Sequence, residues 1–323
     1  MPTTQNEEIY AMMVYNHTVT TVIIRVMRQL PMGIANAGNM CFAGALLQCL
    51  RTVEVSFSAI TRSVDALDQL VASMHAAHGA VMHIETPLIH EIYDAEIGLQ
   101  GQRCPMQFFA ASYRKGGTIA ESFNVEISEV LKCGTCEVAL NKPQISTDNY
   151  IQMLKFDKHT TARTLTELIL HNVVSARIEG YIPTTHKDST NTGSTCANTY
   201  GAFHVRYFSS TLPQHLCFAL ASRTESAAAK NARYFEPQLS MVLPELNMAS
   251  PPHSKDTKNV EYSLFGTVVH SGYSAETGHF SAYVLRDGAW FFIDDEHSRP
   301  VSASAVIKPP PHHTIYMVFY CRV

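Results

Sequence analysis

The chain has 323 residues, enough for one large domain or two ordinary ones with a substantial buried core. Only 16% of them are charged, 24 lysines and arginines against 28 aspartates and glutamates, for a net charge of −4. So even a balance leaves no basic stripe to neutralise phosphates, and nucleic acid is excluded as an expected partner.

In chain order, the start MPTTQNEEIY is acidic, and the apolar run from Val22 to Met27 is broken by Arg25, so neither a secretory signal nor a membrane span is read. The expectation is a soluble intracellular protein, cytoplasmic or nuclear, with no membrane partner. Residues 19–27, rich in β-branched side chains, read as a strand ending before the Pro31-Met32-Gly33 break. From Cys41 the segment CFAGALLQCL puts Phe42, Ala45, Leu46, Cys49 and Leu50 on one helical face, so a buried helix is predicted to begin at or just before Cys41. A second helix is predicted over 62–78 from the spacing of Val64, Leu67, Val71 and Met74, and shorter ones over 107–113 and 165–171. Strands are predicted for the segments beginning at Leu216, Glu261, His279, Ala289 and Thr314. Helices early and strands late suggest an α+β protein, and the polar stretches at 185–201 and 248–259 read as surface loops.

Eight cysteines scattered from Cys41 to Cys321 in a chain of this size are expected to be reduced thiols. Cys41 differs from the rest in its position. A thiol in the first turn of a helix feels the positive end of the helix dipole and unpaired amides, which favour the nucleophilic thiolate. The turn before it, Asn36 to Met40, offers backbone amides and a side-chain amide, the parts that stabilise a tetrahedral oxyanion. A buried helix cysteine beside a tight turn is the competing reading, and the local pattern does not separate the two.

Near the other end, Asp287-Gly288 between alternating apolar runs signals a type I′ hairpin. If those two residues form the turn, Arg286 pairs with Ala289, and counting back sets Ser281 opposite Asp294. His279 then shares a face with Asp294 one diagonal step away, within reach of long side chains, while Asp295 points to the other face. Such a pair suits a general base whose imidazole is oriented by a carboxylate. The rival account is a surface histidine near an acidic strand end.

Taken together, these segments resemble the ubiquitin-specific proteases. The stretch GIANAGNMCFAGALLQCL at 33–50 looks like that family's cysteine box. VVHSG at 268–272, GHFSAY at 278–283, Trp290 and Asp294-Asp295 look like its histidine box. The resemblance implies an α+β, papain-like cysteine peptidase core with thumb, palm and fingers. An N-terminal extension would cover 1–30, the catalytic domain 31–323, and the fingers about 122–215. It implies a deubiquitinating enzyme cutting after the C-terminal glycine of ubiquitin or a ubiquitin-like modifier. Cys41 would be nucleophile, His279 base and acid, Asp294 its orienting partner, Asn36 the oxyanion-hole amide and Asp295 a supporting acid.

Members of the family often hold a structural zinc in the fingers with two CxxC pairs. Here only Cys133 and Cys136 survive, with His186 and at most Cys196 as substitutes, so a knuckle without metal is expected and no cofactor is required. Other family positions change as well. Cys104 and Gln107 stand where the family carries acids, Met40 replaces Thr, Gly44 replaces Asn, Phe280 replaces Tyr, and Ile293 replaces an aromatic. These departures keep open a non-catalytic scaffold or ubiquitin-binding module, and a papain-like peptidase acting on ordinary proteins. Retention of Cys41, Asn36, His279 and Asp294 together favours the enzyme, since a scaffold gains nothing obvious from a full set of catalytic groups. His75 with His78, His312-His313, and the acceptor-like Asn16-His17-Thr18 are read as surface features.

Overall fold

A computed structural model of the chain describes residues 9–15, 18–24, 30–36, 38–53, 57–77, 81–83, 89, 91–92, 104–113, 117–136, 138–142, 144–149, 152–155, 164–173, 176–178, 186–187, 195–196, 202–208, 212–221, 236–245, 258–272 and 278–323. The centre is an eight-stranded sheet built mostly from the last third of the chain. In chain order its strands are β7 (Gln152–Lys155), β12 (His215–Ala221), β13 (Ser240–Glu245), β14 (Lys258–Ser271), β15 (His279–Arg286), β16 (Ala289–Asp294), β17 (His297–Val301) and β18 (His313–Arg322). Their spatial order is β17-β16-β15-β14-β18-β12-β7, with β13 also paired to β14. A separate four-stranded sheet runs β6 (Gln144–Asn149), β5 (Val125–Cys133), β11 (Ala202–Phe208), β8 (Ala176–Ile178). This second sheet falls within the stretch expected to form fingers.

Three two-stranded pairs complete the strand inventory of the described residues. They are β1 (Ile9–Tyr15) with β2 (Thr18–Ile24), β3 (Gly33–Ala35) with β4 (Val81–His83) in parallel, and β9 (His186–Lys187) with β10 (Thr195–Cys196). The strand expected over 19–27 is β2, ending at Ile24. Its partner β1 was not anticipated, because IYAMMVY carries Ala and Met, which favour helix, among its β formers. The loop expected at 185–201 also needs correction, since it contains the β9–β10 pairing.

The hairpin register matches the expectation drawn from Asp287-Gly288. Arg286 pairs with Ala289 and Ala282 with Ile293, and both turn residues take positive φ, 48° and 72°, as a type I′ turn requires. One face of the sheet packs Phe280, Ala282, Val284, Phe291 and Ile293 into a cluster with the helices α1 (Cys41–Leu50) and α3 (Ala66–Ala76). The other packs Tyr283, Trp290 and Phe292 with Leu165, Leu168 and Ile169 of α6 (Leu165–Val173). Strict alternation along β15 and β16 thus feeds two cores at once.

Helix α1 starts at Cys41, as its periodicity predicts, but all ten of its residues are buried rather than one face of them. A helix apolar all round belongs in a protein centre, and Gln48, its one long polar residue, is accommodated by donating Nε2 to Met32 O at 2.7 Å. The helix expected over 62–78 begins at Ala66. Asp65 caps it by accepting from Leu67 N and Asp68 N, which leaves Val64 outside the helix and 88% exposed, not on the buried face. Helix α4 (Pro105–Tyr113) begins two residues early, and α2 (Phe57–Ile60), α5 (Thr118–Glu121) and α7 (Ala303–Ile307) are short additions. Asp68 accepts from Thr118 N and Ile119 N and so ties α5 to α3. Among the described residues no helix is long and apolar enough to cross a membrane.

His215 is a buried polar exception on β12, its ring between Phe123 and Phe265 and its Nδ1 3.2 Å from Ser122 Oγ. Burial pulls its pKa from 6.5 down to about 4. The unfolded chain therefore takes up this proton first as pH falls. The stabilisation from a neutral His215 is whole above about pH 6.5 and is lost on descent through 4. Thermal melts across pH 4 to 7 are expected to show a steeper acid loss of Tm in the wild type than in His215→Gln; parallel profiles would contradict this.

Candidate active site

Two segments far apart in sequence meet at the N-terminus of α1. The first is the loop that runs from β3 into the helix. Gly38 and Asn39 turn it with positive φ, 79° and 55°, and the Asn36 side chain closes it, its Oδ1 accepting from Met40 N at 2.9 Å. Met40 is the N-cap residue and provides no side-chain cap of its own, so Asn36 stabilises the approach to the helix from outside. Cys41 follows at the first helical position, 4% exposed.

The second segment is the β15–β16–β17 unit. His279 opens β15, Asp294 closes β16, and Asp295 occupies the turn into β17 with a positive φ of 51°. His279 Nε2 lies 2.5 Å from Asp294 Oδ1 and 3.8 Å from Asp295 Oδ2. Cys41 is the second side chain that acts on the imidazole and raises its pKa. Since Nε2 is committed to the carboxylate, Nδ1 is the nitrogen left to the thiol.

Electrostatics follow from these contacts. The hydrogen bond to Asp294, then that to Cys41, raise His279 to about 10 against the opposing effect of burial. The same bond holds Asp294 below its usual range, while burial moves Asp295 upward, offset in part by the amide of Asn36. The imidazole is thus prepared to hold a proton beside a sulfur.

Asp295 also joins the two segments. It accepts from Asn36 Nδ2 at 2.9 Å, and its backbone carbonyl accepts from Ile34 N at 2.8 Å. Gly33 lies against the next residue of that turn: a Cβ there would stand 2.3 Å from Glu296 O, so only glycine lets the backbones approach. Gly278 is similarly confined, a Cβ falling 2.2 Å from Ser271 O just before His279. Sequence reasoning placed Asn36 and Asp295 in the site but not their contact. Gly33 was the signal available for that close approach.

The remaining expected positions are distributed as follows. Cys104 Sγ lies 2.8 Å from Tyr316 Oη, and the Tyr316 ring packs edge-on to Phe280 at 5.3 Å, so the substituted position just before α4 reaches the histidine strand through Tyr316 of β18. Gln107 is exposed on α4. Cys133 and Cys136 bound a tight turn after β5, with Thr135 N donating to Cys133 Sγ at 3.3 Å. His186 and Cys196 are direct partners in the β9–β10 register, but their side chains lie outside the described residues. A tetrahedral structural zinc takes four ligands, and Cys133 and Cys136 are the two of the expected set whose side chains are described. His75 is exposed on α3, His78, Asn16 and His17 lie outside the described residues, and His312 stacks edge-on with His313 at 4.4 Å.

A thiol at a helix N-terminus, an imidazole beside it, and a carboxylate behind the imidazole form the constellation of a cysteine hydrolase on an α+β, papain-like scaffold. Comparison with known proteins gives the family. The model of the ubiquitin carboxyl-terminal hydrolases matches residues 63–320, which take in His279 and Asp294 and begin after Cys41. The chain belongs to the ubiquitin carboxyl-terminal hydrolase family. It is 39% identical to mouse ubiquitin carboxyl-terminal hydrolase 10 over 64 residues, 19% of this chain and 8% of that protein. It is 30% identical to human ubiquitin carboxyl-terminal hydrolase 17-like protein 10 over 101 residues, 31% of this chain and 17% of that one. The matched segments thus span a small part of these relatives. In fold it is similar to the SAGA DUB module of Ubp8 with Sgf11, Sus1 and Sgf73 bound to monoubiquitin. The TM-score is 0.65 at 18% identity, covering 90% of this chain and 69% of that one. The module bound to ubiquitin aldehyde gives a TM-score of 0.63 at 18% identity, covering 92% and 71%.

Proposed function

We propose that this chain is a thiol-dependent hydrolase that cleaves the peptide or isopeptide bond after the C-terminal glycine of ubiquitin or a ubiquitin-like modifier. The observation that carries the reading is the His279–Asp294 bond, with Cys41 as the other side chain that acts on the same imidazole. Family membership and the fold shared with a ubiquitin-bound protein support the choice of substrate.

In this reading the thiol proton of Cys41 is already held by His279, and Cys41 Sγ attacks the glycine carbonyl carbon. The carbonyl oxygen becomes an oxyanion, toward which Asn36 turns the amide hydrogen not used by Asp295. The C–N bond then breaks as His279 returns its proton to the leaving amine, leaving a thioester on Cys41. A water, deprotonated by the same imidazole, attacks the thioester and releases the carboxylate and the thiol. Asp294 holds the ring in one orientation throughout, and Asp295 positions Asn36. The reaction draws on side chains alone. Residues 31–323 form the catalytic unit, with 1–30 an extension to it.

The test is labelling of the purified chain with ubiquitin carrying a thiol-reactive C-terminal group, read by mass spectrometry beside Cys41→Ala. One adduct on Cys41, absent from the variant, is expected. A folded wild type that reacts at Cys41 with a small alkylating reagent but not with the ubiquitin probe would overturn the choice of substrate and favour another modifier or a scaffold.

A further inference from the structure

Two carboxylates converge on one ring nitrogen of His279. Asp294 Oδ1 lies 2.5 Å from Nε2 and Asp295 Oδ2 lies 3.8 Å from it. Among the described residues these three side chains are the one set of metal-binding type whose donor atoms all fall within 4.8 Å of one another. A single carboxylate is enough to orient an imidazole. An imidazole nitrogen with two carboxylate oxygens is also a donor set that zinc takes, at about 2.0–2.2 Å from each. Tetrahedral donors at that range stand about 3.4 Å apart, so side-chain shifts of under about 1 Å bring these three to a common ion.

The frame that carries the donors is fixed. His279 opens β15, and Asp294 closes β16, the strand paired with it. Asp295 is held in its turn by Ile34 N on its carbonyl at 2.8 Å and by Asn36 Nδ2 on its carboxylate at 2.9 Å. All three side chains are partly exposed, which gives an ion a way in and leaves room for water as the remaining ligand.

We propose that His279 Nε2, Asp294 and Asp295 bind one zinc ion, and that this ion reversibly switches off the Cys41 site. The binding stands on the geometry alone, and the inhibition rests on the hydrolase reading. On binding, the proton between Nε2 and Asp294 leaves to solvent and the nitrogen lone pair goes to the metal. The ring then keeps only the proton on Nδ1 and no longer becomes the imidazolium that protonates the leaving amine. Cys41 is not needed as a ligand, since Nδ1 is the nitrogen left to it.

The experiment is calorimetric titration of the full chain carrying Cys41→Ala with zinc chloride, beside Cys41→Ala/Asp295→Asn. Asparagine at 295 keeps an oxygen for Asn36 Nδ2 and removes the anionic ligand, and circular dichroism checks the fold. The single variant is expected to bind one zinc ion more per chain than the double, a difference to which Cys133 and Cys136 contribute nothing because both proteins retain them. His279→Gln in the same background is expected to lose the same ion. Equal stoichiometry and affinity in all the folded variants would overturn the site. Zinc is also expected to stop the wild type from cleaving a ubiquitin amide, with recovery on adding a chelator; undiminished cleavage with the site filled would overturn the inhibition. Failure of the ubiquitin probe to label Cys41 would remove the hydrolase reading and leave zinc binding to be decided by the calorimetry.

Discussion

Replacing His279 by Ala is expected to lower turnover of a ubiquitin amide substrate by on the order of 10² to 10⁴, the range a positioned general acid–base supplies. KM should change little, because the imidazole serves the reaction and not the grip on the ubiquitin body. The same substitution has a second signature that does not need substrate. His279 is raised to about 10 in the folded chain, against 6.5 for an unperturbed imidazole. A raised histidine contributes stability that is complete below the unfolded value and disappears as pH climbs through the folded one. Denaturant titrations of wild type and variant should therefore differ most near pH 6 and converge toward pH 10. A gap that stays constant across that range would mean that His279 does not hold its proton against Asp294 and Cys41.

The second large effect is expected at a residue with no chemistry at all. Gly33→Ala would place a methyl group 2.3 Å from Glu296 O, in backbone on both sides, where no flexible side chain can yield. Overpacking of this kind usually costs about 1–3 kcal/mol. The strain falls on the junction where Ile34 N meets Asp295 O and Asn36 Nδ2 meets the Asp295 carboxylate. Activity should fall further than stability, since separating these strands displaces Asn36 from the oxyanion and leaves the sheet intact. Hydrogen exchange at the Ile34 amide reads the separation directly. An alanine variant with wild-type Tm, wild-type exchange at Ile34 and undiminished activity would contradict the close approach.

The sequence made some of this legible because local rules and the fold agreed. Asp287-Gly288 specified its turn, the turn specified the register, and the register brought His279 to Asp294 before any three-dimensional information. Helix α1 was legible at its start for the same reason. Legibility failed where a long-range contact decided the outcome. Nothing local says that α1 is buried on every side, because the elements that cover it come from both ends of the chain. The Asn36–Asp295 bond is a meeting of two turns, and no periodicity encodes it. Val64 illustrates the opposite failure: its spacing fitted a helix face, but the Asp65 cap starts the helix two residues beyond it, at Ala66.

The place of β18 has a consequence for synthesis. Residues 313–322 lie between β14 and β12, near the middle of the large sheet, so the β13–β17 part and the β7–β12 part are joined only when these residues appear. Cys41 emerges from the ribosome long before its base, and the two are joined only through pairings of very long sequence separation, which form late. A nascent chain therefore carries Cys41 long before His279 and Asp294, and the sheet that holds those two is completed last, when β18 inserts.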